Sequence, residues 1–238
     1  MVDPHGANAI VVAPGANAMI SASDVQNAAP LLQDASIVMC QLEASMDASL
    51  AAFTLAGKNR PDGALKILNA APIPTDPHDE RLQELCHACD VLCVNEIEAA
   101  QLLGWESFRV LSGMGREAAS ALLGIFPRTS SVVLTLGERG VCLIERDILS
   151  GQVSETVTLA AVSCEAKDTV GAGDSFLGAL AVALFRGETM RDAASFATQI
   201  AGLSVQFPGT QASYYAALDV FSARASTQGT QGRDSAPP

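Results

Sequence analysis

With 238 residues, 49% of them hydrophobic, the chain has enough apolar side chains for a sizeable core and reads as a globular protein. A formal charge of −12 and a pI near 4.5 exclude a general affinity for nucleic acid or anionic membrane, since no cluster of lysine and arginine exists to neutralise phosphates. Six cysteines with no basic-then-apolar leader read as the reduced thiols of a cytoplasmic protein, and the apolar runs are too short and interrupted for a membrane span.

Along the chain, short β-branched runs predict strands at 9–13 (AIVVA), 36–40 (SIVMC), 66–70 (KILNA), 90–94 (DVLCV), 132–136 (VVLTL) and 141–145 (VCLIE). Amphipathic or Ala/Leu-rich segments separate the first five: DASLAAFTLAG, DERLQELCHAC, EIEAAQLLG and REAASALLGIF. Strands alternating with helices predict βαβ units and a mostly parallel sheet with helices on both faces, the three-layer α/β/α class. Residues 132–163 break the pattern, because two strands follow one another across GERG with no room for a helix, so an antiparallel excursion is expected there. Helices are predicted at 172–185, 190–206 and 214–224, and one α/β domain over 5–224. The tail 225–238 has no apolar periodicity and reads as disordered.

Ligands of a parallel sheet bind outside the carboxyl ends of its strands, and polar residues fall there. Gln41 and Glu43 follow the second strand, Asn69 ends the third, Asn95 and Glu98 follow the fourth, and TLGERG (135–140) follows the fifth. KDTVGAGDSF (167–176) leads into the helix at 172–185, where unpaired N–H groups and the helix dipole attract an anion and glycines allow close approach. Asp174 beside such an anion hole suits proton abstraction from an attacking hydroxyl; the plain alternative is a glycine turn with Asp174 as a capping acid. Asp168 is a second acid with nothing evident to cap.

Rival motifs are weaker. No G-x-x-x-x-G-K-[ST] phosphate loop occurs in the sequence. GMGREA (113–118), with Glu138 further on, matches a dinucleotide fingerprint but follows the polar-interrupted run FRVLS rather than a first strand. CHACDVLC (Cys86, His87, Cys89, Cys93) lacks a second ligand pair and reads as core cysteines, and DPHDE (76–80) as an acidic first helical turn.

KDTVGAGDSFLGA, NEIE (95–98), TLGERG (135–140), QLE (41–43) and NAIVVAPGAN (8–17), in this order, closely resemble the ribokinase-like, phosphofructokinase-B type carbohydrate kinases. QLE, LNAAP (68–72) and GTQAS (209–213) are similar to the ribose-phosphorylating branch of that family. The resemblance implies ATP-dependent phosphorylation of D-ribose to ribose 5-phosphate. It implies Asp174 as catalytic base and Gly171, Ala172 and Gly173 as the anion hole. Asn95, Thr135, Leu136, Gly137, Glu138, Arg139, Gly140, Gly173 and Thr198 would contact ATP, while Glu43 and Asp174 would bind the sugar. Glu98 would help hold Mg²⁺ through water. A potassium ion would be held by Asp168, Val170, Ser204, Phe207, Gly209 and Ser213, several through main-chain carbonyls. A homodimer is implied too. The match starts well inside a typical family member, so the first strands, the lid with its dimer contact, and the N-terminal sugar-binding Asp and Gly-Gly segment are expected to be lacking. The alternative is a non-catalytic nucleotide-binding or partner-binding remnant of a sugar kinase.

Overall fold

The structure is a computed structural model that describes residues 13–106 and 112–231. These fall into two compact units, one extending to Ala160 and the other beginning at Ala161. The predicted strand at 9–13 lies almost wholly outside the described residues, as does most of FRVLS.

The first unit holds a six-stranded sheet in sequential order: β1 (Ile37–Gln41), β2 (Leu65–Asn69), β3 (Val91–Asn95), β4 (Ser131–Thr135), β5 (Val141–Glu145) and β6 (Val157–Leu159). β1 to β4 pair in parallel, and β5 and β6 add antiparallel, so the excursion after the fifth predicted run is present. Between the parallel strands run α3 (Met46–Leu55), α4 (Glu80–Ala88), α5 (Glu96–Leu103) and α6 (Gly115–Ile125). Two short helices, α1 (Ala22–Asn27) and α2 (Ala29–Asp34), precede the sheet and were not predicted.

One core holds this unit together. Alternate strand residues Val38, Leu68, Leu92, Val94, Val132, Leu134, Cys142 and Ile144 pack on Phe53, Leu82, Leu85, Ala99, Leu102, Leu122 and Leu123 of the helices. The intervening residues Ile67, Val91, Cys93, Val133, Val141 and Leu143 are buried as well, which explains why these strands read as continuous apolar runs rather than as alternating ones. β1 sits at the sheet edge, and its Met39 is 47% exposed.

The second unit contains α7 (Ala172–Phe185), α8 (Met190–Ser204) and α9 (Gln211–Gln231). α8 begins at an N-cap, Thr189, whose hydroxyl accepts from the Asp192 N–H. It buries Ala193, Ala194, Ala197, Ile200 and Leu203, and α7 buries Phe176, Leu177 and Leu180. Alanines on α8 allow close helix packing, and Phe196 meets Phe221 of α9 edge-on with ring centroids 5.2 Å apart. α9 runs to Gln231. Extending an existing helix fixes one residue per added bond, whereas starting one is costly, so a polar stretch can continue a helix that its own pattern does not announce.

Candidate functional site

In the first unit, the parallel register places the predicted polar residues along one edge of the sheet. Gln41 pairs with Asn69 and Asn95 with Thr135, all at strand carboxyl ends. Glu43 lies exposed in the turn after β1.

NEIE forms a capping box. Asn95 is the N-cap of α5; its Oδ1 accepts from the Ile97 and Glu98 N–H groups, both at 2.9 Å. Glu98 reaches back: Oε2 accepts from the Asn95 N–H at 2.8 Å and Oε1 from Asn95 Nδ2 at 2.7 Å. Glu98 is buried, and burial pushes its carboxyl up to about 7 despite these bonds, with Glu96's charge adding to the rise. Its oxygens therefore already have local partners, and Mg²⁺ held through water fits this arrangement better than direct ligation.

TLGERG is a tight turn at the end of β4. The Leu136 N–H donates to the Gly140 carbonyl at 2.8 Å, and Gly137 and Gly140 take φ of 54° and 95°, where a side chain would be strained. Leu136 is buried, Glu138 is exposed, and Thr135 Oγ1 donates weakly to the Val94 carbonyl at 3.4 Å. Arg139 pairs with Glu96 at 3.0 Å, tying this turn to the start of α5. Sequence reasoning missed Glu96, although it stands between the two residues singled out in the same motif.

The second unit contains the glycine-rich turn. Gly171 is the N-cap of α7 with φ 80°, and no side chain caps the helix. Gly173 and Asp174 are exposed at the second and third helical positions, whose amides have no intrahelical acceptor. Asp174 is thus the acid in the first turn of α7. The Ala172 N–H makes only a long bond of 3.3 Å to the Thr169 carbonyl.

Asp168 does have amides to satisfy, contrary to the sequence expectation. Its Oδ1 accepts from the Val170 N–H at 3.0 Å and its Oδ2 from the Gly209 N–H at 2.9 Å; these bonds, that to Gly209 first, lower its pKa. The Lys167 and Asp168 N–H groups donate to the Val205 carbonyl at 2.7 and 3.1 Å, so the loops at 167–170 and 205–209 are drawn together. Ser204 and Ser213 are buried, their hydroxyls donating to the Ala201 and Thr210 carbonyls, while Phe207 is partly buried between them in sequence. Of the residues expected to hold a cation, the structure thus joins Asp168 directly to Val170 and Gly209. Thr198 stands apart: it is buried in α8 and its hydroxyl donates to the Ala194 carbonyl at 2.8 Å.

The rival motifs resolve structurally. Cys86, Cys89 and Cys93 are buried thiols, pushed far up by burial, and among the described residues no three His, Cys, Asp or Glu side chains could hold a metal ion. In GMGREA, a side chain at Gly115 would crowd Leu136 at 3.1 Å, so that glycine serves packing. In DPHDE, Asp79 caps α4 by accepting from the Arg81 and Leu82 N–H groups. Among the described residues no helix is long and apolar enough to cross a membrane.

Residues 1–217 match the pfkB family of carbohydrate kinases. The chain is similar to the ribokinase of Dictyostelium discoideum, 30% identical over 227 residues and covering 90% of this chain and 67% of that one. It is also similar to the ribokinase of Mus musculus, 34% identical over 216 residues and covering 90% and 62%. Its fold is like that of Arabidopsis thaliana ribokinase complexed with ribose and ATP, with a TM-score of 0.67 at 26% identity, covering 92% of this chain and 66% of that one. The chain thus spans roughly two thirds of the length of the curated relatives it matches. With its mixed sheet, its ordered motifs and this match over most of its length, the chain belongs to the pfkB family of carbohydrate kinases.

Proposed function

We propose that the protein transfers the γ-phosphoryl group of ATP to D-ribose, giving ribose 5-phosphate and ADP, with the turn at 171–174 as the reacting centre. The observation that carries this reading is the glycine-started mouth of α7, with left-handed Gly171 at its N-cap and Gly173 and Asp174 exposed in its first turn. Asp174 takes the proton of the ribose 5-hydroxyl as that oxygen attacks the γ-phosphorus and the bond to the ADP oxygen breaks. The Gly171, Ala172 and Gly173 backbone stabilises the charge that develops on the phosphoryl oxygens.

The remaining assignments follow the family motif. Asn95, Thr198 and the turn 135–140 contact the nucleotide, Glu43 binds the sugar, and Glu98 positions water on Mg²⁺. Mg²⁺ bound with ATP neutralises charge on its terminal phosphates. Asp168, Val170, Ser204, Phe207, Gly209 and Ser213 hold potassium, which when bound adds positive charge beside the turn. A cytoplasmic protein, one kinase domain over 5–224 and pairing of two copies complete the proposal. The ribose and ATP in the Arabidopsis structure support the choice of substrates.

The second reading is nucleotide or partner binding without turnover. Phosphorus NMR on the chain with ATP, Mg²⁺, K⁺ and D-ribose separates the two. The proposal expects ADP and a sugar phosphomonoester to appear together, more slowly with 2-deoxyribose or fructose. ATP binding without any sugar phosphate would establish the second reading instead.

A further inference from the structure

We infer that Tyr214 is a positioning residue for phosphoryl transfer, its hydroxyl fixing the Gly171 carbonyl and thereby the peptide planes of the anion-binding turn. This rests on the reacting centre proposed above.

Tyr214 donates to the Gly171 carbonyl at 3.0 Å. The same carbonyl accepts the Ser175 N–H, also at 3.0 Å, which is the first helical bond of α7. Both lone pairs of that oxygen are thus engaged, one along the helix and one by a side chain from another helix. The hydroxyl also stands where a side chain on Gly171 would begin: an added Cβ would lie 2.2 Å from Tyr214 Oη and 3.1 Å from Thr210 Cγ2.

A turn built on Gly171 and Gly173, without a capping side chain, has little of its own to hold one conformation. Tyr214 supplies an external strut, and its own base is anchored. The Ser213 and Tyr214 N–H groups and the Ser213 hydroxyl all converge on the Thr210 carbonyl, at 3.0, 3.3 and 2.6 Å. Two residues before α9 begins, Gly209 is clamped by Asp168. Burial, and then the charge of Asp174, raise the Tyr214 pKa, which keeps its O–H a donor. Tyr214 thus acts through Gly171 rather than on the substrate.

The test is Tyr214→Phe in the full chain, which removes only the hydroxyl. The expected result is a kcat lower by about tenfold, the loss of one orienting hydrogen bond. KM for ATP should stay within about twofold, because the turn matters most when charge develops. An unchanged kcat would overturn the inference, and so would a raised KM at constant kcat. A second arm reads melting temperature in a cycle with Gly171→Ala. Removing the hydroxyl should raise the melting temperature in the alanine background, by relieving the collision, and lower it in the native one; equal shifts would contradict the strut. If the native chain transfers no phosphate, the proposed function fails, and Tyr214 is judged on the thermal stabilisation given by inorganic phosphate. Weaker stabilisation in Tyr214→Phe supports the strut, and equal stabilisation overturns it.

Discussion

Two helix starts in this protein solve the same problem in opposite ways. At α5, Asn95 and Glu98 consume the free amides, and the box is partly buried. At α7, a left-handed glycine stands where the capping side chain would be, and the next residues face solvent. A capped start stabilises its own helix and leaves little attraction for an anion, whereas an uncapped one keeps its amides for a ligand. The closed start works through side chains and the open one through backbone, so substitutions should affect them differently.

The largest effect is expected from Asp174→Asn, which leaves the open start intact but removes its base. Turnover should fall by about 10²–10⁴-fold with ATP affinity retained, as steady-state kinetics and calorimetry would show. Gly171→Ala attacks the backbone instead: with φ at 80° and Tyr214 Oη in the way, it should cost about 1–3 kcal/mol of stability in denaturant unfolding.

For the closed start, Glu98→Gln tests burial of the carboxyl. Its folded pKa, about 7, lies above its ordinary value of 4.5, so the folded state binds the proton more tightly between the two. Stability of the native chain should therefore fall as pH rises across that window, by up to about 3 kcal/mol, and Glu98→Gln should remove this slope. The smallest effect belongs to Glu96→Gln, which breaks the ion pair with Arg139. With side-chain exposures of 15% and 36%, the pair is only partly shielded, and a loss of about 0.5–1 kcal/mol that shrinks in high salt is expected in thermal melts.

The same contrast explains what could be read from the sequence. β3 and α5 were legible because the marks that announce them are local: DVLCV is an apolar run, and the Asn95–Glu98 box closes within three residues. The glycine turn was legible as a candidate anion site for the same reason. The grip on it was not, since Asp168 finds Gly209 at a separation of 41 residues and Tyr214 finds Gly171 at 43. α1 and α2 escaped because neither buries a residue fully, so no apolar period marks them, although Ser21 and Asp24 form a capping box. β6 escaped because three residues are too few to show alternation.

The contrast between the two starts is tested most directly by an amide-resolved NMR titration of the full chain with inorganic phosphate. Saturable shifts of the Gly173 and Asp174 amides, with the Ile97 and Glu98 amides unmoved, are the predicted result. Shifts at Ile97 and Glu98 with Gly173 and Asp174 unmoved would contradict it.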